Sequence, residues 1–506
     1  MKSFGKLQRY ALLIVGGAIF PLGLAPFNLW PAVIVSMAIL FQSLRQPSIK
    51  QAFFNAATYG FGLFLTGASW LYVSIHEYGF IAAPLAVIAT TLFCLFLAAI
   101  FAVPFMLTAF LPSTSISLIL GLPAIWVISE WVRSWVFTGF PWLYAGYSHT
   151  ETWLNGWAPI GGVLSLSFFS ALTAMLFLWF VQGMGQRRST LSLSVILMVL
   201  TISGYLLQQV NWTKDIGEPL TVALIQPNIA QNEKWSVEKR SAILTQLATQ
   251  TEAYWGHDMI IWPEAAVPSI PKRIPVFMQN LERKANDSGS TLLTGIITQD
   301  SEQGRFYNSV LAVGGQSGQY HKTRLVPFGE YVPLESLLRG LIQFFDLPMS
   351  SLSVGPSNQI PLTVQKQLIA TAICYEVVYP DLVARNTREA SLIVTVSNDT
   401  WFGESLGPLQ HMQMVQMRAL ENAKPIIRGT NNGISGLVDQ RGNIYGRMDQ
   451  NSIDELSGVV QPRAGQTPFS ITGSWPIIFL SWLIVFFLVL HRSKTNVLEE
   501  SKNEIK

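Results

Sequence analysis

Charge is scarce in this chain of 506 residues: Asp, Glu, Lys and Arg make up 12%, whereas hydrophobic residues make up 50%. A soluble globular domain carries about 25% charged residues, so the balance points to a membrane class. The net charge of +3 is too small and too scattered to suit nucleic acid, and no basic patch is interleaved with stacking aromatics. Cysteine is nearly absent. With only Cys94 and Cys374 there is no disulfide framework. The 6 histidines form no cluster with metal-ligand spacing, and neither a P-loop nor a Gly-rich dinucleotide turn occurs. No metal and no cofactor are therefore expected.

What the chain has instead is long apolar runs. They lie at Tyr10–Phe27, Leu29–Leu44, Ala52–Ile75, Phe80–Leu111, Ile116–Ile128, Trp157–Gln182, Leu191–Val210 and, far downstream, Trp475–Leu490. Most approach the roughly 20 residues needed to cross a bilayer, and flanking residues extend the shorter ones. The first run follows Lys2, Lys6 and Arg9 but lacks a convincing small-residue cleavage site, so it reads as a retained helix rather than a signal peptide. About eight spans are expected. Most of the charge falls after residue 213, which divides the chain into a transmembrane domain at 1–212, a water-exposed domain at 213–470 and a returning helix with a tail at 471–506.

Lys and Arg in short loops mark the cytoplasmic side. Lys2, Lys6 and Arg9, then Arg45 and Lys50, Arg187 and Arg188, and Arg492 and Lys494 all fall on one side if eight spans alternate. The opposite loops hold almost none apart from Arg133. Both termini are thus expected on the cytoplasmic side and the large domain on the other, which in a Gram-negative cell would be the periplasm. Cys94 lies inside the fourth apolar run and reads as packing. Cys374 is then the only thiol in the exported domain, where an oxidising compartment favours pairs, so it is either reactive or completely buried.

The exported domain alternates strand-like and helix-like segments. Strands are expected at Thr221–Gln226, Asp258–Trp262, Thr291–Ile297, Phe306–Val313, Gln319–His321, Leu368–Cys374, Leu392–Ser397, Ile426–Thr430, Ile434–Asp439 and Asn443–Arg447. Helices are expected at Ser236–Tyr254, Pro275–Asp287 and Pro408–Asn422. Such alternation argues for an α/β sheet covered by helices.

Three strand ends deliver reactive side chains. Ile260-Ile261-Trp262-Pro263-Glu264 ends on a carboxylate in a Pro-bracketed turn, Tyr320-His321-Lys322 sets a lysine just past a strand, and Ile369 to Cys374 ends on the thiol before Tyr375-Glu376. Ligands and catalytic groups of α/β folds gather at strand termini, so the three can meet at one edge. Each alone has a bland alternative: Cys374 as a small buried hydrophobe, Glu264 and Lys322 as a structural ion pair.

The ordered trio Trp-Pro-Glu, Tyr-His-Lys-x-x-Leu-x-Pro-Phe-Gly-Glu and Ile-Cys-Tyr-Glu resembles the carbon–nitrogen hydrolase, or nitrilase, superfamily over roughly residues 219–466. The hydrophobic segments, Pro-Phe-Gly-Glu-Tyr-Val-Pro-Leu-Glu and Ser-Asn-Asp-x-Trp-Phe-Gly narrow the resemblance to bacterial apolipoprotein N-acyltransferases over the whole chain. The resemblance implies a four-layer α-β-β-α sandwich and a Glu264–Lys322–Cys374 triad. A thiol with an ordinary pKa of about 8.5 needs a base, which Glu264 would be, while Lys322 and the Tyr375 backbone N–H would hold each oxyanion. It also implies a phospholipid as acyl donor and a diacylated apolipoprotein as acceptor, joined by a ping-pong thioester route. An eight-span anchor restricts the available symmetry, and a monomer is expected.

Softer roles follow by the same resemblance. Glu330 would hold Lys322 and tune the base, Tyr375 and Glu376 would fix the turn at the nucleophile, and Trp235 and Asn308 would lie near the site. Trp235 reads equally as a surface aromatic over a strand edge, and Glu376 as a carboxylate favoured at a helix N-terminus. His321 should point away from a pocket that Lys322 enters, since adjacent strand residues face opposite ways. His411 reads as a polar residue on a packed helix. The weakly charged stretch Leu337–Leu352 is either a flap dipping towards lipid or a packed helix and turn. Two other functions fit parts of the pattern: a membrane-tethered amidase or nitrilase using water, and a non-catalytic scaffold, against which the intact trio argues.

Overall fold

The computed structural model describes residues 5–182, 187–300, 302–315, 317–327, 329–331 and 352–504. Two compact units result: Met1–Tyr72 with Ala83–Val210 and Thr472–Lys506, and Val73–Ala82 with Asn211–Ile471. All of Leu337–Leu352 except Leu352 itself lies outside the described residues.

The first unit is helical. Its main elements are α1 (Lys6–Ala18), α2 (Trp30–Ser43), α3 (Ile49–Gly67), α4 (Ala83–Phe105), α5 (Ser115–Arg133), α6 (Ala158–Val181), α7 (Arg187–Leu207) and α12 (Trp475–Glu504). A helix thus forms over each apolar run. Among the described residues, four stretches are long and apolar enough to cross a membrane: Ala83–Phe110, Ser115–Arg133, Trp153–Val181 and Trp475–Arg492. Helices α1 and α3 meet through glycines. A Cβ on Gly17 would sit 2.0 Å from the Tyr59 carbonyl oxygen and one on Gly62 would sit 2.1 Å from that of Ile14. Only a residue without a side chain lets two backbones approach so closely. The core of this unit is aromatic, with Phe20, Phe41, Tyr59, Phe101 and Phe105 ringed around buried Trp126.

Arg133, the one cation in a loop expected to lack them, is itself buried. Its Nη1 donates to the carbonyls of Phe140, at 2.8 Å, and Trp142, while Glu130 one turn earlier accepts from the Trp126 indole and the Ala145 amide, both at 2.8 Å. Its charge ties down a loop instead of facing solvent. The Ala52–Ile75 run also behaves differently from its composition. Helix α3 stops at Gly67, and Val73–Ala82 groups with the second unit, where the Ser74 hydroxyl donates to the Trp401 carbonyl at 2.6 Å and Tyr78 meets the Trp401 ring edge-on.

The second unit holds two sheets of six strands. Strands of the first are β1 (Leu220–Gln226), β2 (Met259–Val267), β3 (Thr291–Gln299), β4 (Phe306–Val313), β5 (Gly318–His321) and β12 (Asp454–Val460), in the order β12-β1-β2-β3-β4-β5. The second comprises β6 (Leu362–Val364), β7 (Gln367–Ile373), β8 (Leu392–Ser397), β9 (Ile426–Thr430), β10 (Gly436–Val438) and β11 (Ile444–Arg447), ordered β11-β10-β9-β8-β7-β6. The central neighbours β1, β2 and β3 run parallel, as do β7, β8 and β9, and the flanking pairs are antiparallel. Parallel strands need crossovers, which α8 (Arg240–Thr251), α9 (Pro275–Ser288), α10 (Pro380–Thr387) and α11 (Gly407–Asn422) provide.

Side chains from both sheets share one core, with Leu224, Ile261 and Leu293 of the first meeting Ile373, Val396 and Ile427 of the second. The other face of the first sheet packs Ala223, Ile260 and Leu292 against Ile243 and Leu247 of α8 and Leu281 of α9. Both faces are covered, which explains the near-continuous apolar strands.

Among the strands of the two six-stranded sheets and the helices that cross between them, β6, β12 and α10 were not expected from the sequence. Strand β12 begins Asp454-Glu455 and is mostly solvent-facing, so it lacks the apolar signature of a strand, yet it closes the sheet edge beside β1.

Candidate active site

Strand β2 does not stop before the carboxylate, as its Pro-bracketed turn suggested. It continues to Val267 through a bulge, in which the register with β3 jumps from Trp262↔Thr294 to Val267↔Ile296. The bulge turns at Ala265, whose φ of +45° is rare for a residue with a side chain, and delivers Glu264 into the interior. Gly295 makes it possible. A Cβ there would lie 2.3 Å from the Pro263 oxygen and 2.6 Å from both the Ala265 nitrogen and the Glu264 Cα. None of these backbone atoms can step aside without moving the carboxylate. Gly295→Ala should therefore cost about 1–3 kcal/mol of stability and, by displacing Glu264, about 10²-fold in turnover. Unfolding temperature and turnover, measured side by side, check this, and unaltered turnover would separate Gly295 from the placement of Glu264.

Lys322 follows β5 directly, its amide continuing the ladder to the Asn308 oxygen at 2.8 Å. Its ammonium, 1% exposed, lies 3.1 Å from Glu264 Oε1 and 2.9 Å from Glu330 Oε1. Asn308 Nδ2 donates to the same two oxygens, at 2.7 Å and 2.8 Å. The other oxygen of Glu264 accepts the Asn398 amide at 2.8 Å, and the other oxygen of Glu330 accepts the Val326 amide at 2.8 Å. This network leaves neither carboxylate free to turn. His321 faces away, 4.6 Å from the Tyr307 ring and hydrogen-bonded to Ser309 at 2.8 Å.

Cys374 begins the tight turn Cys374–Val378 at the end of β7, with φ +52°. A strained strand-to-turn corner lifts the thiol out of the sheet, and the residue is half-buried. Behind it, His411 Nε2 lies 3.3 Å from the Cys374 carbonyl oxygen, and the His411 ring contacts Asp399 and Arg428, themselves paired at 2.7 Å. His411 thus sits on a packed helix, as its surroundings suggested, but at the back of the cysteine corner.

Glu376 does more than sit at a helical start. Its buried carboxylate accepts the Ile373 amide at 2.8 Å, the Thr323 amide at 2.7 Å and hydroxyl at 2.6 Å, the Arg324 amide at 3.3 Å, and the Tyr320 hydroxyl. It binds the Cys374 corner to the strand end that carries Lys322. Tyr375 packs edge-on to Tyr379, whose ring carries the Arg324 guanidinium 5.4 Å from its centre. Trp235 packs against the small cluster of Ile297, Leu325 and Leu352, so it is no mere cover for a strand edge.

One residue escaped the sequence reading. Lys234 is 1% exposed and donates to the Glu264 main-chain oxygen at 3.1 Å. In the polar run Gln231-Asn232-Glu233-Lys234 it looks like a solvated charge, and only its neighbour Trp235 hints at burial.

The charges settle into a definite resting state. Burial pushes the Glu264 carboxyl up, but Lys322, Asn308 and Lys234 outweigh it and hold its pKa below the ordinary value. Burial alone would discharge Lys322, yet Glu264 and Glu330 hold its pKa well above normal. The Cys374 thiol is pushed up by burial and then by Glu264, with Lys322 opposing. A neutral thiol therefore faces an ionised carboxylate beside a fixed cation. That combination suits attack on an acyl carbon, with the proton passing to the carboxylate.

Residues 16–176 match the apolipoprotein N-acyltransferase N-terminal domain family, and 221–468 match the carbon-nitrogen hydrolase family. A protein of Azotobacter vinelandii named apolipoprotein N-acyltransferase is 43% identical over 490 residues, 95% of each chain. The chain belongs to the apolipoprotein N-acyltransferase family. Family members of the same name from Pseudomonas syringae pv. tomato, 42% identical over 95% of this chain and 96% of that one, and from Pseudomonas aeruginosa, 41% identical over 96% of each, span the same two parts. The likeness therefore extends over the helical unit as well as the hydrolase-like one. An N-acyltransferase family on a carbon-nitrogen hydrolase domain is consistent with the acyl chemistry for which the Glu264 and Cys374 surroundings are suited.

Proposed function

We propose that this protein is an inner-membrane apolipoprotein N-acyltransferase that moves a fatty acyl chain from a phospholipid to the α-amino group of a diacylglyceryl-modified N-terminal cysteine. The observation that carries the proposal is the buried Glu264–Lys322–Glu330 network beside the strained Cys374 corner. In the first half-reaction Glu264 takes the thiol proton, the sulphur attacks the ester carbonyl, and the C–O bond breaks as the same proton passes to the leaving lysophospholipid alcohol. In the second, Glu264 takes a proton from the acceptor amine, nitrogen attacks the thioester, and the C–S bond breaks to return the thiol. Lys322 has three N–H donors and spends two on carboxylates among the described residues, which leaves one for the oxyanion of each intermediate.

A lipid donor explains why the hydrolase-like domain is joined to membrane helices. The arrangement we propose has eight spans, both termini in the cytoplasm and residues 213–470 in the periplasm as an α-β-β-α sandwich. Its support is the run of helices over each apolar stretch and the two facing sheets.

The test is mass spectrometry of enzyme purified from membranes. The Cys374 peptide should carry a fatty acyl group that neutral hydroxylamine removes, and a diacylated lipopeptide with a free amine should discharge it where an amine-blocked one does not. Absence of any adduct, with transfer requiring both substrates bound together, would replace the covalent route by direct transfer.

A further inference from the structure

We propose that Lys234 is a positioning residue for the acyl-transfer reaction: its ammonium clamps the Glu264 bulge through the main-chain oxygen and supplies the thiol pocket with a second positive charge. The inference rests on the Glu264–Lys322–Cys374 reading above. Its first support is charge balance. Two carboxylates, Glu264 and Glu330, face the single ammonium of Lys322, which leaves one negative charge uncompensated where a thiolate must form. Lys234 supplies the missing charge. The one hydrogen-bond partner of its ammonium among the described residues is the uncharged Glu264 carbonyl at 3.1 Å, so the anion that balances its buried charge at rest is the Glu264 carboxylate, joined by the Cys374 sulphur when that ionises.

The second support is how firmly Lys234 is held. It closes a turn back to the Ala230 oxygen at 3.0 Å, and that turn is fastened where it begins, at Ile229 and Gln231. Asn431 accepts the Ile229 amide at 3.0 Å and donates to its oxygen at 2.8 Å, while Asn398 Nδ2 donates to Gln231 at 2.9 Å. The same Asn398 gives its amide to the Glu264 carboxylate at 2.8 Å. The Lys234 loop thus holds the strained carbonyl before Ala265, and Asn398, to which that loop is tied, holds the carboxylate. A turn at φ +45° persists only where its surroundings over-determine it, and Lys234 is one of those constraints.

The groups facing Lys234 are Glu264 from β2 and Cys374 from the end of β7. Lys322 and Glu330 lie beyond the Glu264 carboxylate, Asp399 with Arg428 and His411 lies behind Cys374, and Glu233 pairs with Lys239 at 3.4 Å on the solvent side of the same segment. Burial lowers the Lys234 pKa to about 8, with Glu264 and Cys374 opposing. The charge is therefore present below that pH and lost as pH rises through it. Acylation of Cys374 should slow over the same range, whereas a thiol acting alone would only speed up as it ionised.

The experiment follows the first half-reaction, acylation of Cys374 by phospholipid, across about pH 6 to 10 in the full-length detergent-solubilised enzyme, after neutral hydroxylamine has discharged any acyl group already present and has been removed. It needs no acceptor amine, whose own titration would interfere. Lys234→Met should lower the acylation rate by about 10²-fold while KM for phospholipid stays within about twofold. Lys234→Gln, which keeps a donor for the Glu264 oxygen but no charge, should fall nearly as far. Lys234→Arg should restore most of the rate and carry the alkaline limb above about pH 10, because a guanidinium keeps its proton there. Wild-type rates in Lys234→Met, or no alkaline limb near pH 8 in the wild type, would overturn the inference, and the wild-type profile decides even if a variant fails to fold. A wild type that transfers acyl groups with no Cys374 adduct would instead sink the catalytic reading.

Discussion

Cys374→Ser is expected to abolish acyl transfer, by about 10⁴- to 10⁶-fold, and to leave the protein folded. A serine hydroxyl is far harder to deprotonate than a thiol, and Glu264, the base proposed for the reaction, is a weak one. Lys322 and Asn308 hold the Glu264 carboxyl below the ordinary carboxylate range, so it takes up a proton reluctantly, and the attack depends on the high intrinsic nucleophilicity of sulphur. The strained corner at φ +52° is unchanged by the substitution, and the two side chains differ by one atom. The unfolding temperature should therefore move by no more than the shift from about 0.5 kcal/mol. Transfer of a labelled acyl chain from phospholipid to a diacylated lipopeptide measures the loss, and activity within about a hundredfold of wild type would remove Cys374 from the reaction. The same electrostatics sets the acid limb of the wild type. The base works only when ionised, and its pKa lies below the ordinary 4.5, so activity should persist as pH falls until it passes below that value.

Lys322→Met should be nearly as damaging to activity and much more so to the fold. Removing the ammonium leaves Glu264 and Glu330, which share Asn308, facing each other without a cation between them. Breaking a buried ion pair from one side costs about 3–5 kcal/mol. The pH dependence follows from the sign of the shift. In the wild type the depressed Glu264 pKa contributes stability above the unfolded value, and that stability is lost as pH falls through the lower folded value. In Lys322→Met the two carboxyl groups repel each other, so one of them should bind a proton at higher pH than normal and cost most stability once ionised. The gap in unfolding temperature between the two proteins should accordingly be widest at neutral and alkaline pH and narrow towards pH 5. A gap that stays constant with pH would mean that packing, not charge, is what Lys322 contributes. Lys322→Arg should restore part of the stability but little activity, since the wider planar guanidinium cannot occupy the same point between the two oxygens at 2.9 Å and 3.1 Å.

The sequence by itself determined the division into apolar runs and a charged domain, most strands of that domain, and the strand ends at Lys322 and Cys374, whereas Glu264 proved to lie within its strand. These are local properties: hydrophobic periodicity, turn residues and chain order are all written within a few neighbours of each position. Tertiary structure decided everything that depends on residues distant in the chain. The bulge at Glu264 exists because Gly295 on the next strand leaves room for it, and nothing between Ile260 and Pro268 announces that. Glu376 looked like a helix-start carboxylate until the Lys322 strand end came against it, and Asp454–Val460 became a strand only because β1 offered an edge. Ser74 read as the end of an apolar run but donates to the Trp401 carbonyl, and Tyr78, just beyond that run, meets the Trp401 ring. Lys234 shows the same limit most sharply. A lysine's place inside or outside a protein is set by whether folding supplies an anion and an acceptor to meet its charge, and here Glu264 brings both from a distant strand.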